Sequence, residues 1–248
     1  MKVLFAGESW FIYSVHQKGF DSFTTGEYEE GRKWLESALK NDGIEVDYIP
    51  NHLASVDFPT SLEELKKYNA VILSDIGSNT LLIHPDTFKK CLKTPNRLKL
   101  LKGYVQAGGG LIMFGGYLSF QGIEGKAHYK GTPIEELLPV NMVEGDDRVE
   151  VPEGFIPRIV NPNHPIVKGV PTEWPAFLSY NKLKAKPSAT IIADHGDDAI
   201  LTAWEYGAGR SIAFAMDCAP HGAPYEFLEW EYYGRIWSQA IRWLAKEI

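Results

Sequence analysis

Along the first half of the chain, short apolar runs alternate with segments of helical periodicity. Lys2–Ala6 is an apolar run closed by Gly7, and Ile44–Ile49 is one ended by Pro50. Ala70–Leu73 lies between Asn69 and Ser74, and Leu111–Phe114 follows Gly108-Gly109-Gly110. These runs are continuous rather than alternating, which is the pattern of strands buried on both faces of a parallel sheet. From Thr24 to Asn41 the spacing predicts a helix. Thr24 and Glu27 fit a capping box, Tyr28, Gly31, Leu35 and Leu39 recur at helical intervals, and Gly43 suits a left-handed C-cap. Ser61 and Glu64 predict a cap on a short helix, Leu62–Tyr68. Arg97–Gln106 carries Leu98, Leu101 and Val105 on one helical face. Cys91 falls in a helical stretch, Pro85–Lys93, and is expected in the core.

The second half reads differently. Between Thr132 and Pro187 prolines are frequent and helical periods few, with short strands expected at 149–151 and 158–160. Thr190–Ala193, Ile200–Glu205 and Arg210–Met216 predict strands, the last two joined by a hairpin turn at Tyr206-Gly207-Ala208-Gly209. A closing helix is expected over Glu226–Lys246, with Trp230, Trp237, Ile241 and Leu244 as its apolar stripe. The fold class is therefore three-layer α/β/α: a mostly parallel central sheet with an irregular β-containing insertion and a C-terminal helix.

A chain of 248 residues suits one domain over 1–248, with 120–188 as an irregular elaboration. A net charge of −7 argues against nucleic acid or anionic membrane as a partner, because both are bound through surplus Lys and Arg. Two distant cysteines, Cys91 and Cys218, exclude a disulfide scaffold and a CxxC metal knuckle. No HExxH, paired histidines or cysteine cluster signals a metal. No glycine-rich phosphate loop follows a strand, so no cofactor is expected. The first residues form a strand-like run too short for a signal peptide, and a cytoplasmic protein is expected. Seven tryptophans, several near the C-terminus, suit either core packing or a homo-oligomer contact.

In such a sheet ligands bind beyond the carboxyl ends of the strands, so the residues that follow each strand are the candidates. They are Glu8, Ser9 and Trp10 after the first, His52 after the second, and Asp75 and Asn79 after the third. Tyr117 follows Gly115-Gly116 after the fourth, and Asp217, Cys218 and His221 follow the last. A lone polar residue in such a place is commonly a turn former or cap, the bland reading of Asn51, Ser78 and Asn79. A carboxylate directly after a buried strand, as at Glu8, is an odd cap and more suggestive of a site. His221 with Asp217 offers a base and its orienter, and Cys218 a nucleophile unless it is simply buried. Gly-Gly before Tyr117 has the mechanics of a nucleophile elbow.

Gly7-Glu8-Ser9-Trp10, Val71–Asn79, Gly108–Gly122, His164-Pro165-Ile166 and Asp217–His221 together resemble the class I glutamine amidotransferase-like superfamily. The resemblance is nearest to an uncharacterised bacterial branch of it and more distant to ThuA-like proteins and the corresponding domain of some β-galactosidases. It covers most of the chain and implies a flavodoxin-like fold. It also implies where a glutaminase would carry its machinery: a G-x-C-x-G elbow and a later H-x-E. Here the elbow reads Gly115-Gly116-Tyr117-Leu118-Ser119, and His221 is followed two positions on by Ala223. A phenol is a poor nucleophile at neutral pH, so the usual glutaminase reaction is expected to be absent. Two expectations follow. One is a pocket for a small-molecule ligand, a sugar or amide, with His221, Asp217, Cys218 and Tyr117 as the reactive candidates. The other is a non-catalytic binding or assembly module.

Overall fold

The computed structural model describes residues 1–248. Its first strand, β1 (Lys2–Gly7), is almost wholly buried and leads into a two-stranded ribbon, β2 (Ser9–Lys18) and β3 (Asp21–Glu30). Helix α1 (Lys33–Asn41), strand β4 (Glu45–Ile49), helices α2 (Asn51–Asp57) and α3 (Leu62–Leu65), and strand β5 (Ala70–Ser74) follow. Next come α4 (Ser78–Leu82), α5 (Pro85–Lys90), α6 (Arg97–Gln106) and β6 (Gly110–Phe114). The elaboration holds α7 (Pro133–Leu137), β7 (Val140–Met142), β8 (Arg148–Phe155), β9 (Arg158–Ile159), β10 (Phe177–Asn181) and β11 (Leu183–Ala185). Strands β12 (Thr190–His195), β13 (Asp198–Tyr206) and β14 (Gly209–Phe214) precede α8 (Tyr225–Leu228) and α9 (Tyr233–Leu244).

One eight-stranded sheet of order β4-β1-β5-β6-β14-β13-β12-β9 organises the molecule. The pairings from β4 to β14 are parallel and those from β14 to β9 antiparallel, so only β13 and β9 run against the rest. The four apolar runs read from the sequence are β1, β4, β5 and β6. All residues of β5 and β6 are buried, as strands covered on both faces require. Helices α1 and α9 pack together on one face; α2, α3, α4 and α6 pack together on the other. The antiparallel end of the sheet, β13, β12 and β9, and the small β8–β10 and β7–β11 pairs come from the elaboration and from the final third of the chain.

Three expectations are corrected. Residues 9–30 form the ribbon β2–β3, not the start of a helix, and the helix begins only at Lys33. Thr24 and Glu27 face Val15 and Ile12 across the ribbon instead of capping a turn. Aromatic cross-strand pairing sets its register: Phe11 lies 4.9 Å from Tyr28, and His16 stacks on Phe23 at 4.5 Å. Cys91 is exposed, because it ends α5 in a left-handed conformation. The C-terminal helix is broken: Pro224 starts α8, the chain turns through Glu229–Tyr232, and Trp230 sits in the break, only partly buried.

The capping box at Ser61 and Glu64 is formed. Trp237 wedges between Phe114 and Phe214, with ring centroids 4.7 and 4.8 Å away, and fixes α9 on the sheet. Trp174 and Trp243 are also buried. No helix is long and apolar enough to cross a membrane.

Candidate functional site

The carboxyl ends of β1, β5 and β6 and the turn after β14 meet at one edge of the sheet. Glu8 and Asp75, the first residues beyond their strands, both have left-handed backbone angles, with φ of 52° and 44°. Non-glycine residues adopt that conformation at an energetic penalty, and such strain concentrates where side-chain direction matters. The two turns are tied together. The Glu8 amide donates to the Ser74 carbonyl at 2.9 Å, and the Asn51 side-chain amide donates to the carbonyls of Ser9 (2.7 Å) and Asp75 (2.9 Å). The Asn51 backbone amide donates to Ser9 Oγ at 2.8 Å. Asn51 and Ser9 thus lock the loops together.

Glu8, Asp75 and Asp217 are all buried, yet the only cationic group paired with any of them is His221. Its Nε2 lies 3.4 Å from Asp217 Oδ2 and 3.8 Å from Asp75 Oδ2, and its ring packs edge-on against Trp10, with centroids 4.6 Å apart. Ser74 Oγ donates to Glu8 Oε2, Asp217 Oδ1 accepts the Ala219 amide at 3.0 Å, and Asp75 Oδ1 accepts the Leu118 amide at 2.6 Å. Glu8 Oε1 and Asp217 Oδ2 have no hydrogen-bond partner. Burial, reinforced by the neighbouring carboxylates, pushes the Glu8 and Asp217 carboxyls well above their ordinary values; burial pushes Asp75 up as well.

These shifts predict a pH dependence of stability. A carboxyl with a higher pKa folded than unfolded binds its proton more tightly in the folded chain. Its contribution is present below the unfolded carboxylate pKa and lost as pH rises through the raised folded value. The protein should therefore melt at lower temperature as pH rises from about 5 to about 8, and Glu8→Gln should flatten that slope. At the alkaline end a gain of about 2–4 °C in Tm over the parent corresponds to about 1 kcal/mol for a chain of this size. Calorimetric melts of both proteins across that range decide it; parallel profiles would show that Glu8 does not carry the effect.

Beside this cluster lies a cleft lined by Gly116, Tyr117, Arg148, Asn181, Asp217 and His221, among others. Tyr117 is exposed at its mouth, with the Arg148 guanidinium 5.2 Å above the ring. The turn bearing Tyr117 is held by Asn181, whose Oδ1 accepts the Gly116 amide at 2.9 Å. Asn181 Nδ2 donates to Asp147 at 2.8 Å, and Asp147 also accepts the amides of Gln121 (2.9 Å) and Gly122 (2.8 Å). Gly116 has φ +136° and lies so close to Asp75 that a Cβ would stand 2.9 Å from Oδ1. The Gly-Gly step is therefore required where the turn passes the acidic cluster.

The fold brings together Glu8, Trp10, Asp75, Tyr117, Asp217 and His221. It does not bring His52 or Asn79 to them. His52 is exposed on α2 against Phe11 and Tyr28, and Asn79 is exposed on α4. Cys218 points inward: its buried Sγ lies 3.4 Å from Ser74 Oγ and 3.7 Å from Glu8 Oε2, and burial pushes the thiol up, the reverse of what a nucleophile needs. Sequence reasoning missed Asn181, Asp147, Arg148 and the clamp at Asn51. Asn51 was visible as a polar residue after a strand, but its partners are backbone atoms of distant loops.

A mostly parallel sheet with converging strand-end loops and a tight glycine turn after β6 defines an amidotransferase-like α/β protein. Residues 2–246 match the family GATase1_like, described as putative glutamine amidotransferase, and the chain belongs to that family. Two cytoplasmic proteins of Salmonella typhimurium, STM3548 and (from strain LT2) STM1381, are each 45% identical to it. Each superposes with a TM-score of 0.95 over 98% of this chain and 99% of its own. A ThuA-like protein of Parabacteroides merdae shares the flavodoxin-like fold, with a TM-score of 0.57 at 12% identity over 99% of this chain and 90% of its own. No protein of curated function matches the chain.

Proposed function

We propose that this chain uses the glutamine amidotransferase-like fold without the cysteine-dependent glutaminase reaction, and that it binds a small polar metabolite, a sugar or amide, in the cleft beside Tyr117. The observation that carries this reading is the side chain on the turn after β6. That turn has the tight Gly-Gly geometry of an elbow and presents a phenol at the cleft mouth. The thiol in the site, Cys218, is buried against Ser74 and Glu8, and burial pushes its pKa up. The walls supply what a polar ligand needs: the face of Tyr117, the Arg148 guanidinium, and the His221 imidazole, against which Trp10 packs edge-on. His221 against Asp217 is the pair that would take or give a proton in any reaction there. The 45% identity to two Salmonella proteins described as cytoplasmic supports the same location for this chain.

Pure protein should release no ammonia from glutamine above background, consistent with a loss on the order of 10⁶ when a triad nucleophile is absent. Turnover abolished by Tyr117→Phe or Cys218→Ala would overturn that part. Binding is read by titration calorimetry against a panel of hexoses, glutamine and asparagine. The expected hit weakens at least tenfold in Tyr117→Ala and in Arg148→Ala. A hit indifferent to both substitutions would move the ligand elsewhere.

A further inference from the structure

We propose that Glu8, Asp217 and His221 bind one divalent transition-metal ion at the inner end of the cleft. One carboxylate oxygen from each acid and one ring nitrogen of His221 lie within 4.8 Å of one another. An ion with bonds of about 2.0–2.2 Å to oxygen and nitrogen holds its ligand atoms about 3–3.5 Å apart, so the widest separation would have to close by about 1 Å or more. The approach of His221 Nε2 to Asp217 Oδ2, 3.4 Å, already has the separation of two ligands on one ion.

The second observation is independent of proximity. Glu8 Oε1 and Asp217 Oδ2 are fully shielded from solvent and have no hydrogen-bond partner. Buried polar atoms are almost always satisfied, and an unsatisfied one points to a missing partner. Charge gives the same answer. Buried carboxylates elsewhere in this protein are matched by charge or donors: Asp194 by Arg158, Asp198 by Tyr180 and by the Lys184 ammonium 2.8 Å from its otherwise unpartnered Oδ1, and Asp147 by two amides and Asn181. Against Glu8, Asp75 and Asp217 stands one imidazole, which pairs with Asp75 and Asp217 and not with Glu8. A divalent cation would neutralise two of those charges and accept both orphaned oxygens.

The donors are also pre-set. Ser74 fixes the other Glu8 oxygen, the Ala219 amide fixes the other Asp217 oxygen, and Trp10 holds the imidazole plane. Mixed nitrogen and carboxylate ligation favours zinc- or manganese-like ions over calcium or magnesium. His221 is one-third exposed, so three protein ligands leave an open side toward the cleft. No sequence motif signals the site because its ligands come from the ends of β1 and β14, more than 200 residues apart in the chain.

This inference rests on the cleft being the ligand site and deepens that reading. Its alternative is that protons, not a metal, neutralise the acids. The two exclude each other at His221 Nε2: an ion bound there replaces the proton exchange that the His221–Asp217 pair offers in its absence.

The test is titration calorimetry of the tag-free, metal-stripped full chain with ZnCl₂ and with MnCl₂ alone, in buffers of different ionisation enthalpy. One saturable site per chain is expected, with proton release on binding. Glu8→Gln and His221→Ala should each weaken the ion at least tenfold, while His52→Ala, a histidine outside the cluster, should not. His221 stands on an exposed turn, so its variant keeps the site testable if Glu8→Gln fails to fold. Absence of a one-to-one site for either ion, or a site indifferent to His221→Ala, overturns the proposal. Metabolite binding without metal binding would sink the metal site alone. Metal binding with no metabolite bound would leave the metal site standing and sink the ligand reading.

Discussion

Gly7→Ala should leave the protein destabilised by more than about 3 kcal/mol, a magnitude within reach when a buried backbone clash cannot relax. Gly7 has φ +113°, and a Cβ there would stand 1.8 Å from the Ser74 carbonyl oxygen and 3.2 Å from Ile76 Cβ. The first obstacle is backbone, not the movable end of a side chain. It is also engaged: the same carbonyl accepts the Glu8 amide, and Gly7 and Ser74 are partners in the β1–β5 ladder. Strand β1 lies between β4 and β5, so neither neighbour has room to withdraw. At about 2–4 °C per kcal/mol, the expected loss in Tm is about 6–12 °C or more. Whatever folds should hold Glu8 out of place and lose metal binding with it. A melting temperature within a few degrees of the parent would show that the β1–β5 junction can open without penalty.

How much of this was legible beforehand depends on where each residue finds its partners. Strands β1, β4, β5 and β6 were readable because burial on both faces leaves continuous apolar runs. Helix α6 was readable because one face is apolar and the Gly108–Gly110 run ends it. The ribbon β2–β3 was not, because it stands in solvent. No core imposes a clean alternation, and Thr24 with Glu27 mimics a capping box. Most of the site was placed by one rule, that ligands collect beyond the carboxyl ends of strands. Glu8, Asp75, Tyr117, Asp217 and His221 obey it. His52 and Asn79 follow their strands too, but each is carried on a short helix that faces elsewhere. The left-handed turns at Glu8 and Asp75, which aim both carboxyls inward, leave no compositional trace. The same holds for the framework around the elbow. Asp147 and Asn181 belong to a stretch that reads as irregular, and they act mainly on backbone groups far away in sequence.

That framework carries the second large effect. Asp147→Ala is expected to destabilise the protein by about 3 kcal/mol or more, because it strands several buried donors at about 1–3 kcal/mol each. Three donors converge on the Asp147 carboxylate: the amides of Gln121 and Gly122 and the side chain of Asn181. Burial itself raises the Asp147 pKa, and these donors oppose it. With the carboxylate gone, they are left unsatisfied in a site that alanine cannot refill. The damage should reach function through Asn181. Its Oδ1 holds the Gly116 amide, and its Nδ2 is positioned by Asp147. Asp147→Asn is the sharper variant. It keeps the volume but replaces one acceptor oxygen by a donor that faces other donors, so Asn181 or an amide must turn away. Stability should fall less than in the alanine variant, while metabolite binding at Tyr117 should fall about as much. Melting curves and calorimetric titrations of the two variants separate those quantities. If binding followed stability alone across both, Asp147 would be only a fold residue, and the turn after β6 would hold its shape without the Asn181 bridge.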